Sequence, residues 1–516
     1  GQMFWADQLT EDVKDKGFQW IDDGWTASGY AHIGSLRGLI IHDAVKKALD
    51  AHKIKSNYTF IIDDFDPMDG LPIYLDAEKY LPYMGMPMRS IPSEIEGKSL
   101  ADFFAENFIE TMKIVGAKPE MISAYELYTS GKMDKAIKLA LDNAEKIRDI
   151  YKKIGRSDKG HDWYPFNPVC PKCGKIGTTK TIGWDGKEVT FVCEPEMVDW
   201  ATGCSYKEKI SPFGGNGKLP YKVEWPAKWM TIGVTIEGEG KDHSAATGTR
   251  DVGNHIAKEI FNYKPPYDIP YEFFLLDGKK MSGSKGLGAN ARDIAELLPP
   301  EITRFMMIRN PKRAIEFNPS GVTIPNLFDE YDKAILAYND PQTHTDLAKV
   351  AEYSQKEGKP FTGFRPRFIK LAYSIQLPRV DVYKEAEDEK GSPLDDSERN
   401  EIKRRIAYAE KWLTNFAPEQ FKFEVSEIIP QNLSLSSEQK NFLGDLADKF
   451  SECGWEGQEI HEIIHSTKKI TNINPKDAFS AIYFIFLGKD FGPQAGWFLS
   501  SLERDFVLNR ISEAIK

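Results

Sequence analysis

The first half of the chain alternates between apolar runs of strand length and amphipathic stretches of helical spacing. Residues 20–22 predict a short strand, and residues 58–62 (YTFII) a buried one. Between them, Leu36, Ile40, Ala44, Ala48 and Leu49 share one face of a helix predicted over 35–51, with Lys46, Lys47 and Asp50 outside it. Residues 121–125 predict another strand. Residues 134–154 predict one long helix, with Ile137, Leu141, Ala144, Ile147 and Ile154 at helical spacing. Strands alternating with helices imply an α/β domain with a Rossmann-type parallel sheet, where ligands gather at the carboxyl ends of strands. From about 155 to 220 the periodicity gives way to Gly, Pro, Cys and aromatic residues, the texture of a small inserted module. The α/β pattern returns over 221–298. Beyond 299 the chain reads as all-α, with helices predicted at 301–309, 397–416 and 495–515 and an exposed loop at 387–396. The expected organisation is an α/β domain in two halves, 1–154 and 221–298, a module inserted at 155–220, and a helical region over 299–516.

Length and composition narrow the class. A chain of 516 residues suggests roughly three or four domains. Its 41% hydrophobic and 28% charged residues are ordinary for a protein with a large buried core. Lys and Arg number 67 against 78 Asp and Glu, a net charge of −11. That total argues against a surface basic throughout, as in a protein that coats nucleic acid, and leaves local basic faces open. The longest strongly apolar stretch, around 478–487, is about half of what a membrane-spanning helix needs. No charged-then-apolar leader is visible. Five cysteines, four of them between Cys170 and Cys204, do not describe a disulfide scaffold in a chain of this size. These features predict an acidic, cytoplasmic protein with no membrane partner.

Two segments carry candidate phosphate chemistry. Ala27-Ser28-Gly29-Tyr30-Ala31-His32-Ile33-Gly34-Ser35 lies between the first strand and the first long helix. A helix start there offers free backbone N–H groups to phosphate, Gly29 and Gly34 permit close approach, and His32 supplies a donor. Alone, the segment fits a Gly-rich turn with a surface histidine equally well. The second segment, Asp277 to Gly286 (DGKKMSGSKG), gathers Lys279, Lys280 and Lys285 among small donors able to stabilise charge developing on a phosphoryl group. Alone, it also reads as a solvated loop.

A third segment points to metal. Cys170-Pro171-Lys172-Cys173 is a C-x₂-C knuckle, the spacing with which two thiolates grip one tetrahedral zinc. Cys193 and Cys204 follow, with 19 residues between Cys173 and Cys193 and ten between Cys193 and Cys204. This wider second pair leaves His161 as an alternative fourth ligand. A structural Cys₄ zinc is the expected occupant. Cys453 stands alone and is expected to be buried.

Taken together, the first two segments resemble the HIGH and KMSKS signatures of class I aminoacyl-tRNA synthetases, in the right order and with a module between them. The local forms HIGS and KMSGS, with Ile61-Ile62-Asp63-Asp64-Phe65-Asp66-Pro67, Trp225-Pro226-Ala227-Lys228-Trp229, Gly240-Lys241-Asp242-His243 and Gly488-Lys489-Asp490-Phe491-Gly492-Pro493, are similar to the class I lysyl-tRNA synthetase family. Two positions depart from the wider class pattern: Ser35 stands in place of a second His, and Gly283 in place of a second Lys.

The resemblance implies that L-lysine is joined to tRNA(Lys) through a lysyl-adenylate, with ATP as substrate, Mg²⁺ accompanying it and zinc in the inserted module. It implies His32 and Lys280 as transition-state donors, with Ser282, Ser284 and Lys285 assisting on pyrophosphate. Gly29, Gly34, Ser35, Met281 and Asp242 are implied around ATP, with Asp242 on the adenosine ribose. Tyr221, His243 and Tyr271 are implied around lysine. A cationic side chain asks for a carboxylate among aromatic walls, which suggests Glu224 beside Tyr221, Trp225 and Trp229. Asp63, Asp64 and Asp66 follow the second strand and read either as substrate-orienting groups or as caps.

The helical region is implied to bind the anticodon. Lys312-Arg313, Arg365, Arg367, Lys403-Arg404-Arg405 and Lys468-Lys469 are candidates for phosphate, and Phe361, Phe364, Trp412 and Trp497 for bases. A monomer is favoured. A glutamyl or cysteinyl synthetase is the nearest alternative; the first would need a basic pocket and the second a catalytic-site zinc. A tRNA-binding relative with a decayed site is the non-enzymatic alternative, raised by Ser35 and Gly283.

Overall fold

The computed structural model describes residues 3–276, 290–340, 342, 346–378 and 380–516. Three parallel strands, β1 (Gln19–Thr26), β2 (Ser56–Asp63) and β3 (Glu120–Ser123), are ordered β1-β2-β3. Parallel bridges Ile21↔Ile236 and Ile236↔Tyr267 continue the order on the other side of β1. The ladder there runs through Asp22 N–H to the Ile236 carbonyl at 3.1 Å and Tyr267 N–H to the Thr235 carbonyl at 2.8 Å. The order β3, β2, β1, segment 235–240, segment 267–271 therefore reverses direction at β1. A doubly wound sheet opens its crevice at such a switch point. β1 and segment 235–240 both border that crevice.

Local chemistry explains the element ends. The helix Ile33–Ala51 buries Leu36, Leu39, Ile40, Ala44 and Ala48, as its 3.6-residue period requires. The helix Leu100–Val115 starts in a Ser99/Asp102 capping box and stops at Gly116, which adopts φ 76°. The single helix expected over 134–154 is two, Asp134–Asp142 and Ala144–Lys153. Asn143 separates them at φ −114°, and its side-chain amide donates to the Leu139 carbonyl at 2.8 Å. An Asx side chain competing for backbone acceptors ends a helix that apolar spacing alone would continue. The helix expected over 495–515 is likewise split, into Ala495–Ser500 and Arg504–Ala514. The Ser500 and Ser501 hydroxyls take the Trp497 and Phe498 carbonyls there, at 2.8 and 2.6 Å. The loop expected over 387–396 is partly helix, because Val382–Lys390 runs into it before Gly391 turns at φ 80°.

The chain divides into two compact units, Gly1–Phe317 with Ala334–Pro360, and Asn318–Lys333 with Phe361–Lys516. The boundary expected at 298/299 falls inside the first unit. Its helix Pro300–Ile308 carries Arg304, fully buried, with its guanidinium 2.5 Å from Asp43 on the helix Ile33–Ala51. The inserted module is also part of this unit, as an antiparallel sheet of Thr179–Trp184, Val189–Cys193 and Lys207–Ile210.

The second unit is helical, around a core that includes Phe442, Leu446, Ile460, Ile482 and Phe498. Several candidate RNA-contacting residues are consumed by its own packing. Arg405 is 1% exposed and, like Arg365, is ion-paired to Asp332. Arg367 pairs with Asp329 at 2.7 Å. Trp412, 1% exposed, is a core residue against Phe368 and Phe421 and offers no face for a base. Among the described residues, no helix is long and apolar enough to cross a membrane.

Candidate active site

The switch point opens into a cavity of about 430 Å³, lined from β1 by Asp22, Asp23 and Gly24 and from segment 237–243 by Glu237, Glu239, Asp242 and His243. His32, Gly34, Ser35, Tyr221, Glu224 and Tyr271 also line it. Residues placed on three separate stretches by the sequence are thus neighbours around one space. Gly29 is not among the lining residues. A Cβ there would meet the Tyr74 hydroxyl at 2.5 Å, and that hydroxyl accepts the Tyr30 N–H at 2.8 Å, so its smallness serves loop packing.

His32 is the N-cap of the helix Ile33–Ala51, in extended conformation and exposed. Its Nδ1 accepts the Gly34 N–H at 3.3 Å. An imidazole accepting at Nδ1 carries its proton on Nε2, which makes the ring a donor toward the cavity. Lys280, Met281, Ser282, Ser284 and Lys285 lie outside the described residues. The chain leaves the strand Phe274–Leu276 before them and returns at Asn290, which bridges antiparallel to His32. The Ala291 N–H also donates to the Ala31 carbonyl at 2.7 Å. The chain at Asn290 and Ala291 is therefore held beside His32.

Below the cavity, the helix Tyr221–Ile232 carries Glu224, 1% exposed, and Lys228, 5% exposed. Lys228 bonds Glu224 at 2.9 Å and also Asp63 at the end of β2. Lys218 bonds Asp66 at 2.6 Å and approaches Glu224 to 3.3 Å. Tyr128 donates its hydroxyl to Glu224. Burial alone would raise Glu224, but the two lysines overcome it and hold the carboxyl down to about 2. Burial would likewise strip Lys228 of its proton; Asp63, Glu224 and Asp66 instead hold its ammonium well above the usual range. Burial raises Asp63 to about 7, with Lys228 opposing and Asp66 and Glu224 adding to the rise. Asp64 is tied separately, to Arg89 at 3.1 Å and to the Ser123 hydroxyl. The aspartates after β2 and the Glu224 carboxyl are thus members of an internal charge network, each with its own protein partner.

The carboxylates of the other wall are held differently. Asp22 accepts the Thr59 hydroxyl at 2.7 Å, and Glu237 accepts the Trp229 indole N–H at 2.6 Å. Asp23 accepts the Gly24 N–H at 2.8 Å. Burial raises all three, Glu237 to about 7. None of them has a Lys or Arg within ion-pair distance among the described residues, whereas Glu239 is paired with Arg250 at 3.0 Å. Sequence reading missed this wall. The available signal was a pair of acidic residues inside an otherwise apolar strand, just before Gly24.

Aromatic rings close the cavity. Tyr221 stacks on Trp225, with ring centroids 6.1 Å apart and planes at 10°. His243 lies 6.1 Å from the Tyr221 ring and 3.5 Å from Asp242. The Tyr271 hydroxyl sits over Gly38 of the first long helix, where a Cβ would lie 2.5 Å from it.

In the inserted module, the thiols of Cys170, Cys173, Cys193 and Cys204 lie within 4.8 Å of one another. Sγ–Sγ separations are 3.6 Å for Cys170 with Cys204 and 3.7 Å for Cys173 with Cys193. A tetrahedron with Zn–S bonds of about 2.3 Å has edges of about 3.8 Å, so this donor set fits a closed thiolate site. His161 is exposed and outside the group. Cys453 is half-buried and donates to the Phe450 carbonyl.

Residues 3–357 match the family described as "tRNA synthetases class I (K)", and residues 405–515 match "Anticodon binding domain". The chain is 34% identical over 521 residues to a lysine–tRNA ligase of Thermoplasma acidophilum, covering 100% of this chain and 99% of the relative. It is 35% identical over 537 residues to one of Methanosarcina barkeri, covering 99% and 98%. It is 34% identical over 520 residues to one of Archaeoglobus fulgidus, covering 99% and 100%. Alongside the sheet order and the crevice with His32 at its edge, these matches show that the chain belongs to the class I lysyl-tRNA synthetase family.

Proposed function

We propose that the chain is a lysine–tRNA ligase, using ATP to join L-lysine to tRNA(Lys) through lysyl-adenylate. The observation that carries this reading is end-to-end similarity to lysine–tRNA ligases, with no large stretch of either chain left over. ATP enters with Mg²⁺. The lysine carboxylate attacks the α-phosphorus in line, forming the mixed anhydride and expelling pyrophosphate. A terminal ribose hydroxyl of the tRNA then attacks the lysyl carbonyl, and AMP leaves.

The first step asks for positioning and neutralisation more than covalent help. His32 Nε2–H, at the start of the first long helix, and the Lys280 ammonium donate to the phosphoryl oxygens. Ser282, Ser284 and Lys285 hold the departing pyrophosphate, and Gly34, Ser35 and Met281 flank the nucleotide. Asp242 accepts the ribose hydroxyls; its exposed position on the cavity rim supports this role. Tyr221, His243 and Tyr271 enclose lysine. Glu224 is better read as structural, because Lys218 and Lys228 already neutralise it. Zinc held by Cys170, Cys173, Cys193 and Cys204 cross-links the loops of the inserted module, and no chemical step passes through it. The second unit supports the anticodon end.

The test is charging of purified tRNA with labelled lysine, glutamate and cysteine in parallel. Incorporation of lysine alone is expected. Charging with another amino acid, or with none, overturns the reading. The family resemblance implies that activation can depend on bound tRNA, so charging is a better readout than tRNA-free pyrophosphate exchange.

A further inference from the structure

The wall formed by β1 contains a carboxylate that the steps above leave unused. Resting on the reading of the chain as a lysine–tRNA ligase, we propose that Asp23 receives the ε-ammonium of the substrate lysine and sets amino-acid specificity. Asp23 is 8% exposed, yet it lines the cavity. Its Oδ1 accepts the Gly24 N–H, while its Oδ2 accepts no hydrogen bond from the described residues. His42 Nδ1 approaches Oδ2 to 3.5 Å. That nitrogen is closer to the Gly38 carbonyl, at 2.6 Å, and His42 Nε2 accepts the Gly238 N–H at 3.0 Å. With Nε2 accepting from Gly238 and Nδ1 facing the Gly38 carbonyl, the His42 ring gives its hydrogen bonds elsewhere and leaves Asp23 Oδ2 open.

Three other carboxylates of the cavity have protein counterions: Lys228 for Asp63 and Glu224, and Arg250 for Glu239. A nearly buried carboxylate without such a partner is costly, and an arriving ammonium removes that cost. Asp22 and Glu237 line the same cavity, but the Thr59 hydroxyl and the Trp229 indole N–H already donate to them. The surroundings also suit the methylene stem. A Cβ at Gly38 would lie 2.5 Å from the Tyr271 hydroxyl and 3.4 Å from Asp23 Oδ2, so both groups converge on the space above this glycine. The rings of Tyr271, Tyr221 and Trp225 line the same cavity. A side chain without a terminal cation would leave Asp23 unpaired. Mismatches of that kind can separate substrates by about 10⁴–10⁵.

The test is Asp23→Asn in the full-length enzyme, followed by tRNA charging and by thermal unfolding with and without each ligand. The KM for lysine should rise about a hundredfold or more, while the KM for ATP stays within about threefold. The unliganded midpoint should hold or rise, since an unpaired buried charge is removed, and the rise that lysine produces in wild type should vanish while that from ATP persists. Asp23→Ser should show the same split, so the outcome does not depend on one variant. A lysine KM within about threefold of wild type, or equal losses for lysine and ATP, overturns the assignment. If wild-type enzyme charges no lysine, the functional reading falls. If wild type charges lysine and both Asp23 variants keep its KM, only the Asp23 assignment falls.

Discussion

The charge network under the cavity and the four-thiol group of the inserted module both bury ionisable side chains, but they balance them in opposite ways. In the network, Lys218 and Lys228 are interleaved with Asp63, Asp66 and Glu224, so the protein supplies both signs. In the module, four groups of one kind converge within 4.8 Å. The difference separates scaffold from site. Carboxylates with built-in lysines hold the helix Tyr221–Ile232 against β2, whereas like groups converging on one point are arranged for something cationic. Asp23 stands with the second kind, although it lies a few residues from the first.

The largest effect should come from the module. Cys173→Ser should reduce bound zinc from about one ion per chain to near zero and expose the module to proteolysis, because structural zinc contributes about 10–16 kcal/mol in small finger peptides. Metal analysis with limited proteolysis reads this; wild-type metal content and resistance would remove the module from the comparison. Next, Lys228→Met should lower unfolding free energy by about 3–5 kcal/mol, the cost of stranding buried carboxylates. Denaturant titration checks it, and a loss below about 1 kcal/mol would mean the network is not the brace described here.

His32→Ala sharpens the contrast from the catalytic side. Charging should slow by about 10²–10³ with the thermal midpoint nearly unchanged, since His32 is exposed and its proposed role is confined to the reacting phosphate. Lys280→Ala should behave in the same way. An unfolding midpoint that fell with activity would reassign His32 to structure.

The smallest effect is a pH dependence of opposite sign in the two walls. Glu224 is held down to about 2 against an ordinary 4.5, so its stabilising contribution is complete above 4.5 and is lost as pH falls toward 2. Glu237 is raised to about 7 from 4.5, so stability falls as pH rises from 4.5 to 7. In chemical unfolding followed across pH, Glu224→Gln should flatten the acid limb and Glu237→Gln the neutral one. Identical profiles for both variants would erase the distinction.

Much of the fold was legible from local pattern. The strands at 58–62 and 121–125 and the helix at 35–51 needed only apolar periodicity, and the observed elements differ by no more than two residues at either end. The breaks at Asn143 and Ser501 were not legible, because a side chain competing for a backbone carbonyl leaves the apolar spacing intact. Of the site, His32 at the helix start and the C-x₂-C knuckle could be read directly, since both depend on neighbours in the chain. For Glu224 the converse holds: aromatic neighbours in sequence suggested a substrate pocket, while its approach by Lys218 and Lys228 could not be read from spacing.

By itself the sequence determined the order of the elements, the position of the phosphate-type motifs relative to a strand and a helix, and the gathering of cysteines in one insertion. These follow from spacing, which acts over a few residues. Only the tertiary structure decided which carboxylates are already neutralised. Lys218 reaches Asp66 across 152 positions and Lys228 reaches Asp63 across 165, while Asp23 meets only a neighbouring N–H and an imidazole whose proton goes elsewhere. Counterions are chosen by proximity in space, and a buried charge feels partners a few ångströms away whatever their distance along the chain.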